Sequence, residues 1–419
     1  MMSPERIPKE RYFSAEYRRL EQERMWSRVW LLGAHVSEIS EPYSFVTVDI
    51  GGESILVVRQ EDGRARAFFN VCQHRGNLLC AEESGCKRAF RCSYHHWEWH
   101  ADGSLKRVFR PESFSPAASR SDLSLAEIAC EERFGFVWVS LAKAPPPIDD
   151  YFGPIAPLIA AYRPETFHLV AATTCEIPCN WKLSADVSNE GYHVATLHPE
   201  LLSILDEASS TLSIHGAHSH ITVPTGICGS EAERGAPVSR ALLEYMRHMG
   251  VDISSFHGAI RDVRPAIVRA VRAHAEAEGI DLSRLRDDQL VDKHQFYLFP
   301  NVQLNFFPLK LEVYRHRPHP RDPAITFFDE TTFERRSPSS ARPPPPRRVR
   351  FRAGEQSMGP VMGADVALLP GLQRGVESRG FRGLLLGAEE AAIRNMHATL
   401  DRYLTAEPAE LSIPSPATR

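Results

Sequence analysis

The chain lacks a long apolar run. Nowhere in its 419 residues does a stretch approach the roughly 20 consecutive apolar residues that cross a bilayer, so no membrane association is expected. The opening Met1-Met2-Ser3-Pro4-Glu5-Arg6 has no apolar core of the secretory kind, and the expected compartment is the cytoplasm. An excess of either charge is also missing: 49 Lys and Arg stand against 53 Asp and Glu, a formal charge of -4. That argues against nucleic acid or an anionic surface as partner. There is no internal repeat. Nor is there a Gly-x-Gly-x-x-Gly in a strand–helix setting, so the chain is not expected to bind a nicotinamide dinucleotide itself. What remains is an ordinary globular composition, 43% hydrophobic and 24% charged, with a length that suits two or three domains.

Cysteine is sparse, and in a reducing compartment it does not read as a disulfide framework. Of the eight cysteines, Cys130, Cys175, Cys179 and Cys228 are scattered. Cys72, Cys80, Cys86 and Cys92 share one short stretch with His74, His95 and His96. Only this group calls for a chemical explanation.

Periodicity divides the chain. Residues 14–31 read as a helix with Ser14 as cap and Tyr17, Leu20, Met25 and Trp26 as an apolar stripe. From Tyr43 the texture changes to short β-branched or aromatic runs bounded by turn residues: Phe45–Val48, Ser54–Val58, Ala67–Val71 and Gly135–Ser140. This predicts a small all-β domain over 43–143, preceded by an N-terminal helical segment over 1–42 that packs on the catalytic domain. Ala144-Pro145-Pro146-Pro147 is the exit linker. Residues 148–419 mix a helix from Pro265 to Ala277, strands at 302–306, 309–313 and 325–328, a Pro-rich loop over 337–348 and a closing helix from Ala388 to Leu404. The fold class is α+β: a small all-β domain and a larger α+β domain with an antiparallel sheet.

Cys72-Gln73-His74 and Cys92-Ser93-Tyr94-His95 each offer one thiolate and one imidazole from a loop that follows a strand-like run. Two such loops can hold a binuclear iron–sulfur cluster, both cysteines on one iron and both histidines on the other. The same four residues also suit tetrahedral zinc. His96 adjoins His95, but adjacent side chains diverge and the Cys-x-x-His offset selects His95. Further on, Glu190 and His193 are three apart and would share a helical face. His193 and His198 are five apart, about 140° around an ideal helix, which calls for an irregularity before Pro199.

The segment Phe69-Asn70-Val71-Cys72-Gln73-His74-Arg75-Gly76, followed by Cys92-Ser93-Tyr94-His95-His96-Trp97, resembles the Rieske domain of ring-hydroxylating oxygenase α subunits. Ser93 stands where that family commonly has Pro, and His96 where it commonly has Gly. Asn180-Trp181-Lys182, the Glu190-Gly191-Tyr192-His193 run and His198 resemble the same family's mononuclear-iron segment; Val187 replaces the Asn that often follows the acid at the Asp186 position. The resemblance implies one [2Fe–2S] Rieske cluster on Cys72, His74, Cys92 and His95, and one Fe(II) on His193, His198 and, matching the late segment before Gln373-Arg374-Gly375, Asp365. It implies that Glu190 bridges the two centres by accepting hydrogen bonds from His193 and from His95 of the partner subunit, and hence a homotrimer. It further implies a helix-grip catalytic domain, O2 as co-substrate, and NAD(P)H as electron source through a separate flavin reductase, with or without a ferredoxin. The substrate is expected to be aromatic or another small organic molecule, hydroxylated by mono- or dioxygenation; the late segment looks like the branch without a β subunit, which also includes enzymes of quaternary ammonium compounds, so the alternative is an oxidative demethylase or monooxygenase of a quaternary ammonium or methylated substrate. Phe296, Tyr297, Phe299, Phe306 and Phe307 either wall an apolar pocket or pack a core. Two other classes stay open: an electron carrier using the Rieske domain alone, and a zinc-stabilised binding module.

Overall fold

Short β-branched and aromatic runs between tight turns form an antiparallel sheet of seven strands, in the order Leu31–His35, Phe136–Ser140, Glu127–Arg133, Ala65–Phe69, Glu53–Arg59, Ser44–Ile50 and Ser84–Cys86. A three-stranded sheet, Ala89–Arg91 with Glu98–His100 and Leu105–Arg107, accompanies it. In the computed structural model, which describes residues 6–114, 123–228, 237–337, 339 and 345–405, these strands belong to one unit, Arg19–Tyr151. Its core gathers Phe45, Leu56, Phe68, Phe90, Trp97 and Trp99 around Cys72 and Cys92.

The boundary falls elsewhere than residue 43. The expected N-terminal segment over 1–42 divides between the two units at Arg18, and the expected helix over 14–31 ends early. Ala15–Glu21 is α-helical, Gln22–Trp26 widens to a π-helical turn, and Leu31–His35 is a strand paired with Phe136–Ser140. All five residues of that strand are buried. A strand covered on both faces shows no period of two, so nothing in the pattern separates it from the end of a helix.

The second unit comprises Met1–Arg18 and Phe152–Arg419. Its sheet has eight strands, in the order Thr211–His215, His218–Val223, Lys293–Leu298, Val302–Phe306, Lys310–Pro318, Thr326–Arg335, Phe167–Ile177 and Arg347–Arg352. Pairing is antiparallel except for the last two strands, which run parallel. The helix expected from Pro265 begins at Ile260 instead. Asp262 accepts the Ala259 N–H (2.8 Å) and starts it, so Pro265 lies inside the helix and removes one backbone hydrogen bond there; Gly279, at φ +68°, follows its end. Of the Pro-rich loop expected over 337–348, residues 338 and 340–344 lie outside those described, and Arg347 already belongs to a strand. The closing helix is Ala391–Thr405. Among the described residues no helix is long and apolar enough to cross a membrane.

The two faces of this sheet differ. On one, Phe306 stacks on Tyr162 (ring centroids 4.3 Å apart) and meets Phe296 edge-on (5.7 Å). These aromatics are core. The opposite face meets the helix Trp181–Ser188: Ser184 Oγ hydrogen-bonds His316 Nδ1 (2.8 Å), and Gln295 Nε2 donates to Ser188 O (2.7 Å).

Candidate functional site

Two loops of the smaller unit close in the same way. In the first, the Cys72 N–H donates to Asn77 O (2.8 Å) and the Gly76 N–H to Cys72 O (3.0 Å). In the second, the Cys92 N–H donates to Trp97 O (2.9 Å) and the His96 N–H to Cys92 O (3.1 Å). The fifth residue of each is left-handed, with φ +73° at Gly76 and +56° at His96. In each, the backbone N–H groups two and three residues after the cysteine serve its sulfur: His74 and Arg75 for Cys72, Tyr94 and His95 for Cys92.

The two sulfurs adjoin. Burial raises the Cys72 thiol, whereas at Cys92 burial is outweighed by the Tyr94 N–H and the Cys72 sulfur, and its pKa falls. The His74 and His95 rings stand edge to face at 4.6 Å, and His74 lies flat against Trp97 at 4.7 Å. Burial, then the charges of His95 and Arg75, lower the His74 pKa. Its ring is therefore neutral at pH 7, and Nδ1 is buried with no hydrogen-bond partner among the described residues. A lone pair without a partner, a matching histidine and two adjoining sulfurs fit a cluster held by two Cys and two His. Cys80 does not belong to the set: its thiol points to the Glu82 carboxylate (3.1 Å) and is pushed up to about 11 by burial. Cys86 is exposed. Sequence reasoning passed over Asn77, whose Nδ2 faces Cys92 Sγ (3.6 Å) and Ser93 Oγ (3.2 Å).

The second constellation is assembled from separate elements. Asn180 caps Trp181–Ser188 by accepting the Lys182 N–H (3.0 Å). The helix then stops, and Val194–Leu197 is a separate turn. Glu190 and His193 thus do not share a helical face, as their spacing suggested. The break, with the poor helix former Gly191 in it, lets Glu190 reach forward. Its carboxylate accepts the His193 N–H (3.1 Å) and the Nδ1 proton of the same ring, which turns Nε2 outward. His198 leaves helical geometry (φ −127°, ψ 51°) just before Pro199, the irregularity that the five-residue spacing requires.

Asp365 arrives from the helix Pro360–Glu377. Its Oδ1 lies 2.8 Å from His198 Nε2 and 3.7 Å from His193 Nε2. Ligand atoms of all three residues lie within 4.8 Å of one another. Two imidazoles and one carboxylate on one side form the donor set of a non-haem iron(II) site, and the residues fit that metal. Gln373, on the same helix as Asp365, fastens the two parts: its Oε1 accepts the Asn180 N–H (2.8 Å) and its Nε2 donates to Tyr12 O (3.3 Å). Burial raises Asp365 against the opposing pull of His198 and His193. At His193 burial is outweighed by Glu190 and Asp365, and its pKa rises.

The sheet face beneath this site is polar. Gln295 stands opposite Asn305, Asn305 opposite Glu312, Gln303 opposite Tyr314, and Tyr314 opposite Glu330. Lys293 shares the side of Gln295, by the two-residue period of a strand. Glu312 spends its oxygens on Lys310 (2.7 Å) and the Tyr314 hydroxyl (3.1 Å). None of these residues was singled out from the sequence.

Comparison with known proteins places the chain. The ring hydroxylating alpha subunit (catalytic domain) family matches residues 164–406, and the Rieske [2Fe-2S] domain family matches residues 29–117. The chain therefore belongs to the ring-hydroxylating α-subunit family and carries a Rieske [2Fe–2S] domain beside a mononuclear-iron catalytic domain, which decides against zinc at the cysteine loops. It is similar to the glycine betaine monooxygenase oxygenase subunit of Pseudomonas aeruginosa (strain UCBPP-PA14), 31% identical over 48% of this chain and 46% of that one. It is also similar to the chlorobenzene dioxygenase subunit alpha of Cupriavidus sp. (strain PS12), 32% identical over 44% and 42%. The matches thus span about half the length of these relatives. A solved quaternary ammonium Rieske monooxygenase in complex with L-carnitine shares the fold, with a TM-score of 0.67 and 20% identity over 95% of both chains.

Proposed function

We propose that the protein is the oxygenase component of a Rieske system, inserting oxygen from O2 into a small polar substrate with electrons from NAD(P)H relayed by a separate reductase. The observation that carries this reading is the meeting of His193, His198 and Asp365, remote in sequence, within 4.8 Å. Cys72, Cys92, His74 and His95 would hold the cluster, and His193, His198 and Asp365 the iron. When bound, the cluster supplies single electrons and the iron(II) a centre with open positions for O2 chemistry.

The chain's own groups do the positioning. Glu190 keeps the proton on His193 Nδ1, so that Nε2 presents its lone pair. Burial of His198 and the grip of Gln373 hold the other two donors, which removes the cost of assembling them on binding. The substrate we infer is a quaternary ammonium compound, as for the glycine betaine relative, and not an aromatic hydrocarbon. What favours it, beside that relative, is the face of Gln295, Gln303, Asn305 and Glu312, whose dipoles suit a charged substrate and offer a bare hydrocarbon ring no apolar wall.

Electron delivery to Glu190 from His95 of the partner subunit, in a homotrimer, is part of the proposal. Leu78, Tyr94 and Phe114 are exposed apolar side chains around the cluster loops, and Tyr192 and Leu368 lie near the iron-site residues in the chain. Such patches suit surfaces covered by assembly. Anaerobically purified protein should contain about three irons and two acid-labile sulfides per chain. With a surrogate reductase it should couple NAD(P)H oxidation to consumption of a quaternary ammonium substrate. Zinc without sulfide would overturn the reading, and iron with turnover of arenes alone would overturn its substrate half.

A further inference from the structure

We propose that Lys293, with the amide pair Gln303–Asn305, forms a subsite for a carboxylate on the substrate, set beside the iron-binding triad. The inference deepens the functional reading above and rests on it for the location of the reaction.

Three observations carry it. First, Lys293 sits at the start of the strand Lys293–Leu298, on the face that meets the helix Trp181–Ser188. Its charge is felt at both His193 and Asp365, in keeping with a place on the side of the sheet that faces the triad. Second, that ammonium has no hydrogen-bond or ion-pair partner among the described residues. Glu312, an acid two strands away on the same face, is already engaged by Lys310 and Tyr314. Burial lowers the Lys293 pKa against the pull of Glu312 and Asp365, and neither acid pairs with the ammonium, so a bound anion would offset the cost of that burial. Third, the adjoining amides are left half satisfied. Gln303 Nε2 donates to Asn305 Oδ1 (2.9 Å), while Gln303 Oε1 and Asn305 Nδ2 are buried without partners among the described residues. The two residues are 1% and 0% exposed. Whichever way the two amides are turned, the pair leaves one donor and one acceptor.

A cation and an amide N–H on one face describe an acceptor with a single negative charge and two oxygens. A dianion such as phosphate is disfavoured, because Asp365 and Glu312 stand nearby. A neutral alcohol would leave the ammonium uncompensated. The ligand class that answers the two free donors, the ammonium and the amide N–H, is a monocarboxylate, and a carboxylate fixed there places the rest of the molecule on the triad's side of the sheet.

The test uses anaerobic holoenzyme without reductase and four probes in two pairs: glycine betaine with choline, and benzoate with benzyl alcohol. Binding is read by isothermal titration. In at least one pair the carboxylate should bind ten-fold or more tightly than its alcohol. Lys293→Gln should abolish that preference and leave alcohol binding unchanged, Lys293→Arg should retain most of it, and Asn305→Asp should lose it by repulsion. Cluster absorbance and circular dichroism of each variant report the fold separately. Equal binding of acid and alcohol, no binding of any probe, or a preference that survives in folded Lys293→Gln and Asn305→Asp would overturn the subsite. Binding of benzoate without glycine betaine would overturn the quaternary ammonium reading and leave the subsite standing.

Discussion

The cluster loops and the iron triad are built on opposite plans. The loops are backbone constructions: residues 72–77 and 92–97 repeat one pattern of hydrogen bonds, and every proposed ligand lies within three residues of another in its own loop. The triad is a side-chain construction, with donors from a helical turn, its end and a distant helix, aligned by Glu190 and Gln373. A backbone site is stiff and specified by a few adjacent residues. A side-chain site is specified by the whole fold, and it can vary its surroundings without losing its donors.

That difference sets how much was legible beforehand. Both Cys-x-His and Cys-x-x-His could be read directly, because the chemistry and the loop are the same few letters. Glu190, His193 and His198 were legible as a set, and their five-residue spacing called for the irregularity found before Pro199; the shared helical face expected of Glu190 and His193 is absent, since the helix has ended and Gly191 lies in the break. Asp365 was reachable only through resemblance, as no local pattern ties it to residues 167 positions away. Lys293, Asn305 and Gln303 were invisible. Their strands alternate as strands should, and which face meets the iron site is decided by Gln295 bonding Ser188 and Ser184 bonding His316. The strand Leu31–His35 was missed because burial on both faces erased its period.

The largest effects should come from removing donors, and they should separate the two plans. Asp365→Ala is expected to lose the mononuclear iron and reduce turnover to background, with the visible cluster spectrum intact. His74→Ala should do the reverse, losing the chromophore and retaining the single iron. If either variant lost both metals, the sites would not be independent constructions; metal analysis with a visible spectrum decides.

Glu190→Gln probes the alignment of the triad without removing a ligand. It leaves the His193 N–H an acceptor but takes the negative charge from Nδ1. Changes of this kind cost about 10–100-fold in activity or metal affinity, and that loss is expected in coupled turnover with both metals retained. Activity within two-fold of the parent would show that His193 needs no such partner.

The polar face offers a pH test of stability. Burial, then repulsion from Glu312, raises Glu330 from 4.5 to about 7. Above pH 4.5 the unfolded chain ionises while the folded one does not. Stability is therefore lost as pH rises from that value to about 7, and the deficit stays constant beyond. Glu330→Gln removes the penalty, worth on the order of 1–2 kcal/mol once screening at this partly exposed group is allowed for. Its melting temperature should match the parent at pH 4 and exceed it at pH 8. Equal melting at both would mean that the side-chain site stores no electrostatic strain there.

The corresponding strain in the backbone site is conformational, and the two loops supply their own control. Left-handed backbone is natural to Gly76 but costs a residue with a Cβ roughly 1–2 kcal/mol. His96 bears that cost at the equivalent position, at the lower end because histidine tolerates the region better than most. Relief is partly offset, since glycine adds unfolded-chain entropy worth about 0.4–1 kcal/mol. His96→Gly should therefore stabilise the protein by only about 0.5 kcal/mol, the difference of those two figures. Gly76→Ala meets no steric contact within 4 Å and should destabilise by a similar amount for the opposite reason. Denaturant melts of both variants, followed through the cluster absorbance, give the two values. Opposite signs would establish that the loops are one construction with a glycine position filled differently. A loss at His96→Gly would instead show that the exposed imidazole contributes more than its backbone costs.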